Sequence, residues 1–159
     1  MNWLYSLSIE CGGEPGDADM LVRHFRDLVL SLSHGVMVAV DVSRTEDGWV
    51  IVSPQGLSHS GIQSDSDARD MSRAGDGLIQ HLRTVKGYRY ALLGVDSAGF
   101  IDYCDIDKHY AGDGFSGLIV SDSIWTQLGK PKTYRRFVPG YHWQPYQGER
   151  YEVFEGEAF

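Results

Sequence analysis

The segment "VMVAVDVSRTEDGWVIV", residues 36–52, determines the predicted fold. Residues 36–42 are β-branched and mostly apolar, as is typical of a central strand. Residues 49–52 form a second apolar run, and the polar turn "SRTEDG" joins the two. The segment therefore predicts a β-hairpin with a loop of about five residues.

One strand and one helix are predicted before this hairpin. Residues 2–10 alternate apolar and polar side chains, which is typical of a half-buried strand. Residues 18–33 repeat apolar side chains at three- and four-residue steps, which predicts an amphipathic helix with Asp17 as its N-cap and Gly35 at its end. The apolar stripe consists of Ala18, Leu21, Val22, Phe25, Leu28, Val29 and Leu32.

A second helix and a fourth strand are predicted after the hairpin. The helix begins near Ser66, and Gly75 lies on its apolar stripe with Met71, Ala74, Leu78, Ile79 and Leu82. Residues 88–95 are an apolar strand. The order β-α-β-β-α-β predicts an α+β fold over residues 1–95, a ferredoxin-like sheet with two helices on one face.

Residues 96–159 are predicted to be an extension of the same domain, since no repeat or domain boundary appears in residues 1–159. Residues 99–104 continue or pair with the fourth strand, residues 117–120 form a short strand, and Ser121 caps a brief helix that ends near Leu128.

The segment "FVPGYHWQPYQGERYEVF", residues 137–154, contains seven aromatic rings, six from phenylalanine, tyrosine and tryptophan and one from His142, without helical or strand period. The prolines at positions 131, 139 and 145 exclude long regular structure here. We therefore predict a strap whose larger aromatic residues, Phe137, Trp143 and Tyr151, close the core.

The net charge of −8 is unevenly distributed. Residues 1–122 carry nine basic and eighteen acidic side chains, whereas residues 123–150 carry five basic side chains and one glutamate. A predominantly acidic chain repels phosphate backbones, which argues against nucleic acid as a ligand. No apolar run is long enough for a membrane span and no signal peptide is apparent, so we expect a cytoplasmic protein.

The segment "DYCDIDKH", residues 102–109, is the most metal-like part of the sequence. If it is extended, Asp105, Asp107 and His109 lie on one face. The spacing matches neither an EF-hand loop nor a zinc motif. A solvated acidic edge is the favoured interpretation, so we expect no bound metal or cofactor.

No catalytic arrangement is apparent. The chain has no G-x-S-x-G elbow and no phosphate-binding glycine loop. Cys104 lies among acidic residues, which raise the pKa of a thiol rather than activate it. Cys11 and Cys104 have no metal-type spacing, and a disulfide between them stays an open alternative. We therefore predict no catalytic residues.

Two features favour a protein-binding surface. Aromatic residues and arginine are enriched at interface hot spots, and they are frequent between residues 134 and 151. The acidic clusters 65–76 and 96–113 suit docking to a basic active site. The predicted partner-binding residues are Asp102, Asp105, Asp107, Asp113, Tyr141, His142, Tyr146 and Arg150.

In size, acidity and α+β plan, the whole chain resembles the small immunity proteins that protect bacteria against secreted toxins. No motif matches residue by residue, so the resemblance transfers no site residues. It implies a one-to-one inhibitory complex with a cognate toxin, such as a nuclease or another enzyme with a basic groove.

Two other functions stay open from the sequence. One is a small metal- or ligand-binding enzyme that uses residues 102–109 with His142. The other is a structural subunit, or a homodimer, that pairs through a sheet edge.

Overall fold

The computed structural model describes residues 5–12, 15–32, 35–45, 48–56, 64–95 and 117–148. These residues form three helices and eight strands. In chain order they are β1 (Tyr5–Glu10), α1 (Pro15–Phe25), β2 (Val29–Ser31), β3 (Met37–Arg44), β4 (Trp49–Pro54), α2 (Asp65–Leu82), β5 (Tyr90–Val95), β6 (Leu118–Ser121), α3 (Asp122–Gln127), β7 (Arg135–Val138) and β8 (Tyr141–Trp143).

The eight strands form one antiparallel sheet in the order β2-β3-β4-β1-β5-β6-β8-β7. The predicted α+β class is confirmed. The predicted four-stranded ferredoxin-like order is not confirmed, because the sheet has eight strands. One additional strand lies outside β3, and three lie outside β5.

The first predicted helix is too long. It ends at Phe25, and residues 29–31 form strand β2 instead. Buried Leu30 and Leu32 alternate with exposed Val29 and Ser31, so these side chains follow the two-residue period of a strand. The helix also begins at Pro15, which places Asp17 in its first turn rather than at its N-cap.

The sheet buries side chains on both faces. Tyr5, Leu7 and Ile9 of β1 belong to the larger core cluster, which also contains the buried side chains of α1 and α2. The alternate β1 residues Ser6 and Ser8 point to the opposite face and are also buried. A smaller cluster on that second face contains Trp49, Tyr90, Leu92, Leu118, Val120, Ile124 and Tyr134.

Helix α2 agrees closely with its prediction. Ser64 is the N-cap and accepts a hydrogen bond from the Asp67 N–H at 3.1 Å. All six residues of the predicted apolar stripe are buried. None of the helices in the described ranges is both long and apolar enough to cross a membrane.

The aromatic strap contains a β-hairpin that the sequence analysis missed. Strands β7 and β8 pair across the turn Pro139–Gly140, where Gly140 has a φ of 98°. Positive φ at this position is typical of glycine in a tight turn. Phe137 is buried and Trp143 packs against the core, as predicted, while Tyr151 lies outside the described residues.

Candidate functional site

The strongest cluster of functional side chains lies where β8 meets α3. His142 of β8 points to the sheet face opposite α1 and α2, and its Nδ1–H donates to Asp122 Oδ1 at 2.8 Å. Asp122 is placed by the α3 N-terminus, where Ser121 Oγ caps the helix by accepting from the Ile124 N–H at 3.3 Å. The hairpin and the helix therefore bring together two residues that are twenty positions apart in the chain.

Trp125 covers the imidazole of His142. The two rings stack with centroids 3.8 Å apart and planes 9° from parallel. The indole Nε1–H donates to the Pro131 carbonyl oxygen at 3.3 Å, which fixes the ring against the loop after α3. The His142 side chain retains only 8% of its exposure.

Asp122 also receives a second, cationic partner. Arg136 Nη1 lies 3.3 Å from Asp122 Oδ2, and both side chains are about half exposed. Lys130 Nζ lies 5.9 Å from the centre of the Trp125 ring. Lys132 and Arg135 are also exposed nearby in sequence, so the described range 117–148 carries four basic side chains and one acidic side chain.

The hydrogen bond between Asp122 and His142 affects the chemistry of the imidazole. A carboxylate on Nδ1–H fixes the imidazole tautomer, so Nε2 retains the lone pair of a base. Within the described ranges, however, no serine, threonine or cysteine side chain bonds to His142. The contacts instead attach α3 and the β7–β8 hairpin to each other. The imidazole, with its carboxylate and indole, thus joins α3 to the β7–β8 hairpin.

Tyr141 and His142 are predicted partner-binding residues, but neither faces outward, since each is only 6% exposed. The alternation of β8 sends Tyr141 to the face of α1 and α2. There its hydroxyl donates to the Tyr88 carbonyl oxygen at 2.8 Å. Burial raises the pKa of Tyr141 above its ordinary value.

Tyr146 is half-buried, and its hydroxyl shares a hydrogen bond of 2.6 Å with that of Tyr5. The other predicted site residues, Asp102, Asp105, Asp107, Asp113 and Arg150, lie outside the described residues, as do residues 102–109 and the predicted strand at 99–104.

The sequence analysis missed the partners of His142. Asp122 and Trp125 are three positions apart, so a helix beginning at Ser121 places them on one face. Their spacing in the sequence therefore indicates that Asp122 and Trp125 lie on the same face of the helix. Their contact with a strand residue after residue 140 was not predictable, because it depends on the unpredicted hairpin.

A second location of interest is the end of the sheet where β5 stops. Val95 is opposite Tyr5 in the register, and the Leu93 N–H donates to the Gly117 carbonyl oxygen at 3.1 Å. The Gly117 N–H donates to the Gln144 carbonyl oxygen at 3.0 Å. We call this region, formed by Tyr5, Val95, Gly117 and Tyr146, the Val95 end of the sheet.

In the described ranges, no group of three or more histidine, cysteine, aspartate or glutamate side chains is placed to hold a metal ion. No protein-family model, curated protein or solved structure matches this chain.

Proposed function

We propose that this protein is a non-enzymatic inhibitor that binds another protein, and specifically an immunity protein that neutralises a cognate bacterial toxin. Its acidic segments bind a basic groove on the toxin. Asp105 and Asp107 belong to the binding surface, with Asp102 and Asp113 beside them in sequence.

The observation that carries this proposal is the distribution of acidic residues between the described elements and the segments that connect or follow them in sequence. The described ranges contain twelve lysine and arginine and ten aspartate and glutamate side chains, so they are close to neutral. The remaining ranges contain two basic and twelve acidic side chains. The excess negative charge thus belongs to the segments that connect or extend the described elements.

Two of these acidic segments are adjacent in sequence to described residues near the Val95 end of the sheet. Residues 96–116 connect Val95 to Gly117 and contain five aspartates and one lysine. Residues 149–159 follow the strand β8, whose Trp143 is opposite Ile119 in β6, and contain four glutamates and one arginine. Acidic side chains on a binding surface attract a basic partner and accelerate the encounter.

In the part of the chain that the structure describes, Glu10 and three histidines are engaged in contacts within the fold, which also supports binding. The buried Glu10 carboxylate accepts from Arg89 Nε at 2.8 Å. His24 and His81 bond to each other's main chain. His142 lies under an indole ring.

A second candidate function rests on the bond between Asp122 and His142. A carboxylate on the imidazole is the arrangement of a general base. In this alternative the protein is a small metal- or ligand-binding enzyme, and residues 102–109 supply the remaining ligands. Calorimetric titration with Zn²⁺, Mn²⁺ and Ca²⁺ distinguishes the two functions, since only the metal enzyme releases heat that His142→Ala abolishes.

We also infer that residues 1–95 form a ferredoxin-like unit within the larger sheet. The order β3-β4-β1-β5 supports this inference. Strands β4 and β1 are the central pair and β3 and β5 are the outer pair, as in that unit. The side chains of α1 and α2 belong to a single core cluster, which agrees with helices on one face.

The immunity function is tested by affinity capture. The full chain carries a tag, and the proteins that it binds are recovered from lysate of the strain that encodes it. We expect one toxin-type protein in stoichiometric amount, whose activity the chain abolishes. The double variant Asp105→Lys/Asp107→Lys should lower the association rate constant about tenfold or more at low salt, because the charges steer the encounter.

The matched control is Asp27→Lys/Asp41→Lys, which changes the net charge equally at two exposed positions of the described sheet and its preceding loop. We expect this control to bind at nearly the wild-type rate. Capture of no stoichiometric partner contradicts the proposal, and equal rates for the two double variants contradict the assigned surface.

A further inference from the structure

The loop after α3 and the strand β7 carry a concentration of positive charge. Residues 123–148 contain Lys130, Lys132, Arg135 and Arg136 and no aspartate or glutamate. All four basic side chains are exposed. The whole chain has a net charge of −8, so this region has the opposite sign to most of the sequence. It attracts anionic groups that the rest of the chain repels.

This positive charge is only partly balanced within the fold. Arg136 Nη1 lies 3.3 Å from Asp122, whose carboxylate also accepts from His142. Lys132 and Arg135 take part in none of the ion pairs between described residues. Three of the four basic side chains are therefore available for an external carboxylate.

The strand register separates the two arginines. Arg136 is opposite His142 in the β7–β8 pairing, and directly opposite residues share a sheet face. Arg136 thus lies on the face away from α1 and α2. Arg135 is opposite Trp143, which packs against the larger core cluster, so Arg135 lies on the other face.

Trp125 adds an aromatic ring to the face that carries Arg136. Its indole is partly exposed, and its Nε1–H donates to the Pro131 carbonyl oxygen at 3.3 Å, which fixes the ring. Lys130 Nζ lies 5.9 Å from the centre of this ring, and Lys132 directly follows Pro131. Tryptophan beside basic side chains is a typical composition of an interface hot spot.

The backbone of Lys130 is an independent indication of a role for its side chain. Lys130 has a φ of 55°, and it is the one residue other than glycine with a positive φ in the described ranges. This conformation is less stable for lysine than for glycine. Strained residues of this kind cluster at binding sites. The lysine supplies an ammonium group that the more stable glycine would lack.

The main chain of this turn favours carboxylates over phosphate as the ligand. Phosphate sites commonly use free N–H groups of successive turn residues or of a helix N-terminus. The N–H groups of Leu128, Gly129 and Lys130 instead donate to carbonyl oxygens of α3 at 2.9, 3.0 and 3.0 Å. A long nucleic acid is also repelled by the acidic chain as a whole. A short acidic protein segment meets the positive charge alone.

We propose that Trp125, Lys130, Lys132 and Arg136, which we call the basic surface, dock an acidic segment of a partner protein. The carboxylates of the segment pair with the two lysines and the guanidinium, which can bind a carboxylate through two N–H groups. An apolar side chain of the segment packs on the exposed part of the indole. The basic surface contains none of the acidic residues assigned to toxin binding, so this proposal does not depend on the immunity function.

The test is a fluorescence anisotropy titration of the full chain with a labelled, glutamate-rich peptide that contains phenylalanine, at about 50 mM salt. We expect a dissociation constant on the order of 100 µM. Lys130→Gly/Lys132→Gln should raise it at least about fivefold, because complementary charge is lost. The matched control, Arg73→Gln/Lys86→Gln, removes two exposed positive charges from α2 and the loop after it, and should bind like the wild type.

The Nε1–H NMR signal of Trp125 locates the peptide. Binding should shift this signal and leave that of the buried Trp49 in place. Circular dichroism establishes that the lysine double variant is folded, as expected because glycine adopts a positive φ without strain.

Three results would overturn the proposal. Equal weakening by the two double variants would mean that the attraction depends only on net charge. An unshifted Trp125 signal in the bound protein would place the peptide elsewhere. Tighter binding of a single-stranded oligothymidylate of the same length would indicate a nucleic-acid surface instead of a site for an acidic protein segment.

Discussion

Tyr88 and Tyr141 stack on each other, with ring centroids 4.3 Å apart and planes 18° from parallel, but their hydroxyl groups differ. The Tyr141 hydroxyl donates to the Tyr88 carbonyl oxygen at 2.8 Å. The Tyr88 hydroxyl is buried and is the one buried side-chain polar atom in the described ranges without a hydrogen-bond partner. Burial raises the pKa of Tyr88 far above its ordinary value.

We expect opposite effects when each hydroxyl is removed. Tyr88→Phe should leave the free energy of unfolding unchanged or raise it by about 1 kcal/mol, because the folded protein no longer buries an unbonded donor. Tyr141→Phe should lower it by about 1 kcal/mol, since a buried carbonyl loses its donor. Urea unfolding of both variants measures the difference. A larger loss for Tyr88→Phe than for Tyr141→Phe contradicts the assigned hydrogen bonds.

Gly75 is a helix residue whose replacement by alanine should destabilise the protein. Alanine ordinarily stabilises a helix by about 1 kcal/mol relative to glycine. A Cβ atom at Gly75, however, would overlap the Tyr5 hydroxyl and lie 2.8 Å from the Tyr146 ring. We expect Gly75→Ala to lower the free energy of unfolding by about 1–3 kcal/mol through overpacking.

The control for Gly75→Ala is Gln80→Ala, at an exposed position of the same helix, which should change stability by less than about 0.5 kcal/mol. The measurement is chemical unfolding followed by circular dichroism. A stabilised Gly75→Ala protein would show that Tyr5 and Tyr146 move apart easily.

The local sequence correctly predicted the elements whose apolar side chains follow one clear periodicity. Helix α2 shows one unbroken apolar stripe, and the β3–β4 hairpin shows two apolar runs around a polar turn. Both were confirmed. The segment 28–32 fits helical and strand periods alike, and its pairing with β3 decides between them. Such pairing is a tertiary interaction that local propensity does not contain.

The candidate site was less predictable than the fold for the same reason. His142 was singled out, but its contacts with Asp122 and Trp125 require the β7–β8 hairpin. Pro139–Gly140 is a turn signal between the two strands. The prolines at positions 131, 139 and 145 were instead interpreted as excluding long regular structure, although two short strands fit between them.

The Cys11 thiol should be unreactive in the folded protein. Burial raises its pKa from an ordinary 9.0 to about 12, and the carboxylates of Glu10 and Asp17 act in the same direction. Thiol reagents attack the thiolate, which is scarce at neutral pH when the pKa is this high. In the variant Cys104→Ser, we expect a chromogenic disulfide reagent at pH about 8 to react with Cys11 at least a hundredfold faster in urea than in buffer.

The same shift predicts how stability depends on pH. The unfolded thiol ionises above about pH 9, whereas the folded thiol stays neutral until about pH 12. The contribution of Cys11 is therefore fully present below about pH 9 and is lost as the pH rises toward 12. Cys11→Ala should reduce this alkaline loss of stability. For the labelling experiment, rapid reaction of the disulfide reagent with the native Cys104→Ser protein would contradict the burial of the Cys11 thiol.

His24 and His81 connect the C-terminal turns of α1 and α2. Their rings stack with centroids 4.1 Å apart. His24 Nε2–H donates to the His81 carbonyl oxygen at 3.1 Å, and His81 Nε2–H donates to the His24 carbonyl oxygen at 2.6 Å. Each side chain thus satisfies a carbonyl at the end of the other helix.

We expect these two residues to be energetically coupled, because their rings stack on each other and each imidazole donates to the other residue's carbonyl oxygen. A double-mutant cycle of His24→Ala and His81→Ala should give a coupling free energy of about 0.5–1.5 kcal/mol. The exposed ion pair between Arg44 and Asp19 provides a comparison cycle, in which coupling should stay below about 0.5 kcal/mol. Additive losses in the histidine cycle would mean that the stacked rings fill space without joining the helices.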